Sequence, residues 1–264
     1  MQEKKFVVPK LSVFGVISEA VKLYKDNYKL FIKISFFAFL LNFANDTLDV
    51  AQYLFKDTPA VALYKLLLFV AVFPFLYFSI KLSIATYVCA MERYRERNID
   101  IRSALSIARE KFWRYIGVCI ELCLILLIPI AGGICSFFLI KDLLIKWLVI
   151  GIFAIPSVYI GTNYGFAPFM VIFEKGKKHP FSVSKKLVEG DFWGVVFLIF
   201  LVIVVSSAPY YLYMYVFNDY KAITEVNKYL ISSLNQMIRV FITPFASSIY
   251  AVMYYKLKGN KRIG

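Results

Sequence analysis

From Tyr115 to Leu139 a single charged side chain, Glu121, interrupts an otherwise apolar run. A helix of about 20 mostly apolar residues is what crosses ~30 Å of hydrocarbon. Five further stretches have comparable character, which gives expected spans at about 28–45, 64–91, 115–139, 147–173, 195–217 and 237–255. The first is the poorest, because Lys29 and Lys33 leave only Ile34 to Ala44 clean. The second carries Lys81 within it. With 60% hydrophobic and 18% aromatic residues in 264, a soluble fold has too little interior to hide the apolar surface. An ordinary soluble enzyme, a disordered chain and a disulfide scaffold are excluded on that ground. The MQEKKFVVPK opening carries no apolar signal core, so the first span is expected to stay in the mature chain.

Charge sets the expected orientation. The formal net charge is +14, and most of the 31 Lys and Arg fall on one side of the spans. Arg93, Arg95, Arg97, Arg102, Arg109, Lys111 and Arg114 lie between spans 2 and 3, and Lys175, Lys177, Lys178, Lys185 and Lys186 between spans 4 and 5. The sparser side holds Lys56, Lys65, Lys141, Lys146, Lys221, Lys228 and Arg239. By the positive-inside rule both termini are expected on the cytoplasmic side of the membrane. Anionic lipid headgroups then absorb the basic excess, which leaves nucleic acid a poor partner. Trp113 and Trp193 fall at inner interfaces and Trp147 at an outer one.

Each odd-numbered span follows a segment with helical periodicity that is too polar to cross. In register these read AVKLYKDNYKLFI from Ala20, ALSIAREKFWRYI from Ala104 and SKKLVEGDFWGVV from Ser184, so that Tyr28, Phe112 and Phe192 coincide. Such segments are expected to lie in the cytoplasmic interface and then turn into the membrane. The expected fold is an all-α membrane protein, a single integral membrane domain over 1–264. Six transmembrane helices form three tandem repeats (about 11–90, 98–173 and 180–255) of an interfacial amphipathic helix plus a transmembrane hairpin.

Three stretches carry a resemblance to a known family: LSVFGVISEAVKLYKDNYKLF, SALSIAREKFWRYI and FAPFMVIFEKGKKHPFSVSKKLVEGDFWGVV. In the last, Ala-Pro near the end of span 4 leads to Glu174 and Gly176, then to Ser184, Leu187, Gly190, Phe192 and Trp193. The chain resembles the bacterial multi-span proteins grouped with the membrane domain of glycerophosphoryl diester phosphodiesterases, and the YciC-type inner-membrane proteins. The resemblance implies a six-span bundle and no activity, because the catalytic barrel that some members carry has no counterpart here.

The cysteines (Cys89, Cys119, Cys123, Cys135) all fall in apolar segments and read as small core residues. His179, the single histidine, sits in a basic Lys-Lys-His-Pro stretch and reads as a solvated loop residue. No P-loop, GxSxG or HExxH pattern occurs, so no catalytic residue, cofactor or metal site is expected. Lys81 and Glu121 are the intramembrane charges and form a candidate pair, either as structural glue or along an ion path. Pro74, Pro129, Pro156, Pro209 and Pro244 fall in one layer of the outer half. They are either merely tolerated or splay the bundle into a pocket. Thr162, Asn163, Tyr164, Ser206, Ser207 and Thr243 are the candidate lining of such a pocket, with Asn163 alternatively an interhelical hydrogen bond.

These readings favour a non-enzymatic multi-pass protein with a scaffold, accessory or envelope-maintenance role, in contact with lipid and an unidentified membrane partner. The alternative is a small transporter or lipid-handling protein that uses a cavity in the outer half. A closed apolar interior speaks for the first, and a polar path through the bundle for the second.

Overall fold

The computed structural model describes residues 11–54, 61–173, 179–217 and 225–260. Among them the chain is all helical: α1 (Val13–Leu54), α2 (Val61–Tyr94), α3 (Ile101–Leu139), α4 (Leu143–Tyr164), α5 (Ala167–Phe173), α6 (Pro180–Val188), α7 (Phe192–Phe217) and α8 (Glu225–Asn260). Among the described residues four segments are long and apolar enough to cross a membrane: Phe69–Tyr94, Ile101–Leu139, Leu143–Phe173 and Gln236–Gly259. The bent pair Pro180–Val188 and Phe192–Ala208 brings the number to five if it is counted as one span. The expected span 28–45 runs within α1 to residues 44 and 45, whose side chains lie outside the described residues.

The expected turn from an interfacial helix into a span occurs once. Between α6 and α7 the axis bends by 106°. By contrast, α1 and α3 run without a break through Tyr28 and Phe112, where the sequence reading placed the corresponding turns. The difference lies in the connection. Gly190 adopts φ +90°, a backbone region that side-chain-bearing residues avoid, and it ends α6. The aligned positions Asp26 and Glu110 have no such freedom and continue the helix.

The chain divides into two compact units, residues 1–16, 111–199 and 253–264, and residues 17–110 and 200–252. In the first unit, Asp142 caps α4 by accepting the Ile145 N–H at 2.9 Å. α4 and α5 together make the segment Leu143–Phe173, which covers the expected span 147–173. Pro168 has no N–H to offer the Tyr164 carbonyl, so the helix breaks at Gly165, whose own N–H bonds the Gly161 carbonyl. The short α6 packs against both α4 and α5 through Phe181, Val183, Leu187 and Val188. The outer faces of α3 and α4 expose Leu124, Leu127, Ile128, Phe138, Leu144, Leu148 and Ile155. So continuous an apolar surface is what lipid covers.

In the second unit Tyr94 of α2 donates its hydroxyl to Glu19 of α1 at 2.9 Å. Tyr24 of α1 stacks on Phe31 and meets the Phe245 ring of α8 edge-on at 6.1 Å. These contacts and the residue order make α1 antiparallel to α2 and α8. Ile84, Ala85, Val88, Cys89 and Ala90 form the fully buried stripe of α2. Asp100 caps α3 by accepting the Ser103 N–H at 3.2 Å. Of the four free cysteines Cys89 is buried as expected, whereas Cys123 and Cys135 are exposed on α3. They are small apolar residues facing outward rather than core.

Candidate functional site

A partly open cavity of about 290 Å³ lies within the second unit, between α1, α2 and α8. Each helix contributes one stripe of residues at spacings of three, four and seven, which is one face of an α-helix. From α1 come Ser35, Ala38, Phe39 and Asn42. From α2 come Ser79, Leu82, Ser83 and Thr86. From α8 come Gln236, Arg239, Val240 and Thr243. The antiparallel course of α1 sets Asn42, Ser79 and Gln236 toward one end and Ser35, Thr86 and Thr243 toward the other.

The stripe on α2 lies well inside Phe69–Tyr94, and the stripe on α8 opens Gln236–Gly259. Polar side chains within a span face protein or water, and Arg239, in the first turn of its span, is exposed. The hydroxyls are partly spoken for. Ser83 donates to the Ser79 carbonyl at 3.0 Å and Thr86 to the Leu82 carbonyl at 2.9 Å. Their oxygens therefore remain as acceptors. Ser35 is different: its Oγ is buried and has no hydrogen-bond partner among the described residues. Arg239 is the only ionisable side chain in the lining, and it makes no ion pair among the described residues.

Of the residues singled out from sequence, Thr243 lines this cavity. Thr162 and Asn163 are instead buried on α4 in the first unit. There Asn163 Nδ2 donates to the Tyr159 carbonyl at 2.9 Å, and the Ser184 hydroxyl of α6 donates to the Asn163 carbonyl at 2.6 Å. The Tyr164 ring meets Phe181 edge-on at 5.7 Å. The Asn163 side chain thus bonds within its own helix, and its backbone carbonyl takes the bond from α6. Ser206 and Ser207 are half-buried on α7.

Pro74, Pro129, Pro156 and Pro244 lie inside α2, α3, α4 and α8, each of which continues through its proline. Pro209 falls within α7, and its side chain lies outside the described residues. The ammonium of Lys81 sits 5.8 Å from the Tyr77 ring. Glu121 Oε1 lies 3.9 Å from His179 Nε2, an ionic contact when the imidazole is protonated. His179 therefore has a carboxylate beside it that no sequence neighbour announced. Glu174 and Gly176 lie outside the described residues.

Polar side chains recurring with helical period inside apolar helices were a readable signal for the cavity. Ser79, Ser83 and Thr86 carry it, as do Gln236, Arg239 and Thr243. Charge counting assigns Arg239 to the outer loops, whereas it lies inside α8. No family model, curated protein or solved structure matches the chain.

Proposed function

We propose that this chain is a multi-pass protein of the bacterial cytoplasmic membrane that binds a small polar molecule or lipid headgroup between α1, α2 and α8, as a transporter or lipid-handling protein does. The observation that carries this reading is the cavity itself. Eight of its twelve lining residues have polar side chains, drawn from three helices, where a scaffold needs only apolar packing. Among the described residues of the lining no acid, thiol or imidazole joins Arg239. The cavity is thus suited to binding and orienting rather than to proton transfer.

The proposal includes the threefold architecture with both termini cytoplasmic. The aligned residues Ala20, Ala104 and Ser184 are all fully buried, and so, within a few per cent, are Ile34, Val118 and Leu198 at the same offsets. The sharp turn between α6 and α7 supports an interfacial helix in the third repeat. The exposed rings of Trp113, Trp147 and Trp193 suit headgroup-level positions.

Cysteine accessibility tests the functional reading. In a background with the four native cysteines replaced, Ser79→Cys and Ser83→Cys are expected to react with a charged, membrane-impermeant thiol reagent. Leu76→Cys, exposed on the same helix, serves as the lipid-facing control. If the cavity positions react no faster than Leu76→Cys, the interior is dry and the scaffold reading replaces this one.

A further inference from the structure

We propose that the cavity recognises an oxygen-rich anionic group, a phosphate or phosphate ester, with Arg239 as its anchor. This inference rests on the ligand-binding reading above and specifies its ligand. Arg239 brings a positive charge into a lining whose described residues include no carboxylate, and it has no ion-pair partner among the described residues. Its planar fork of five N–H donors matches two oxygens of a phosphate at once. Gln236, one turn earlier on α8, and Asn42 from α1 add amide donors from two directions.

Ser35 gives an independent pointer. Its side chain is 5% exposed and its hydroxyl is unpartnered among the described residues, yet the residue lines the cavity. A buried O–H without an acceptor is costly, and an anionic oxygen supplies the acceptor it lacks. Ser83 and Thr86 have given their protons to the backbone, so they accept rather than donate. That part of the wall suits a hydroxyl or ammonium carried by the same ligand. The volume, about 290 Å³, is roughly twice that of a 150 Å³ pocket able to hold benzene, which leaves room for a headgroup-sized molecule.

Soluble phosphate and a phospholipid headgroup share this chemistry, and two measurements on the full chain in nanodiscs separate them. The first is equilibrium binding of radiolabelled inorganic phosphate in phosphatidylcholine discs. The second is native mass spectrometry of lipid retained from discs of mixed phosphatidylglycerol and phosphatidylcholine. Phosphate binding that weakens at least about tenfold in Arg239→Gln, and less in Arg239→Lys, supports a soluble ligand. Selective retention of phosphatidylglycerol, lost in Arg239→Gln and kept in part by Arg239→Lys, supports a headgroup.

The wild-type chain binding neither probe overturns the inference, as does binding that both variants leave unchanged. Should Arg239→Gln fail to fold, Arg239→Lys carries the comparison, since loss of the fork alone is expected to weaken either interaction. If Ser79→Cys and Ser83→Cys react with the charged reagent while neither probe binds, the anionic assignment fails and the polar-ligand reading stands. If those positions are also unreactive, both fail.

Discussion

The Ser184 hydroxyl donates to the Asn163 carbonyl across 2.6 Å, in a place where both residues are buried. Asn163 sits in the last turn of α4, whose terminal carbonyls lose their intrahelical partners at the Gly165 break. A side chain from α6 thus satisfies the end of α4. Ser184→Ala leaves that carbonyl unpaired in the interior and is expected to cost about 1–3 kcal/mol. Thermal unfolding in detergent should show a lowered midpoint, while Ser182→Ala, exposed on the same helix, should leave it unchanged.

Gly190 carries φ +90°, the feature that lets α6 end and α7 begin at 106° to it. Gly190→Ala forces a side chain into that backbone region at a cost of about 1–3 kcal/mol. Gly117, in the body of α3, has nothing within 4 Å of where a Cβ would stand. Gly117→Ala should therefore be neutral, and the yield of folded protein from the two variants checks the contrast.

Asp191 precedes α7, and its carboxylate accepts the Leu11 N–H at 2.9 Å, across 180 residues of sequence. Removal of this charge-assisted bond by Asp191→Ala should speed hydrogen exchange at the Leu11 amide by about tenfold or more. Asp191→Asn keeps an acceptor oxygen and is expected to retain part of the protection. Exchange measured by mass spectrometry on the peptide around residue 11 reads the difference.

Asp100 caps α3, and the Ser103 hydroxyl and N–H beside it hold its carboxyl below the ordinary aspartate value. A lowered folded-state value means the ionised cap stabilises the fold above the unfolded pKa and loses that effect as pH falls through the folded value. Wild type and Asp100→Ala should therefore differ in thermal midpoint at neutral pH and converge in acid. A gap that widens on acidification contradicts the assignment.

Much of the helical membrane character was legible because long apolar runs admit few other folds. Where helices stop was harder to read. The break at Gly165 follows from Pro168 two residues into the next helix, and a proline inside an apolar run gives no sign of whether it bends or ends it. Similarly, three aligned segments of like periodicity turned only at Gly190, since periodicity reports which face is apolar and not where the axis changes direction. Thr243 was found because it stands beside a proline, whereas its neighbours on the cavity wall needed the helices to be brought together. Asn163 and Thr162 looked like a polar cluster in isolation, and Ser184, 21 residues away, gives Asn163 its partner.

The wall that α8 gives the cavity is a single stripe made of Gln236, Arg239, Val240 and Thr243. Successive residues on a helix stand ~100° apart in azimuth. Beside Gln236 and Arg239 on the adjoining edge are Met237, Ile238 and Phe241, all exposed. A twist of this helix about its own axis by a single residue's arc would exchange a hydrated rim for a greasy one. The polarity of the α8 wall therefore follows the rotational setting of one rod, with no bond broken and no loop displaced.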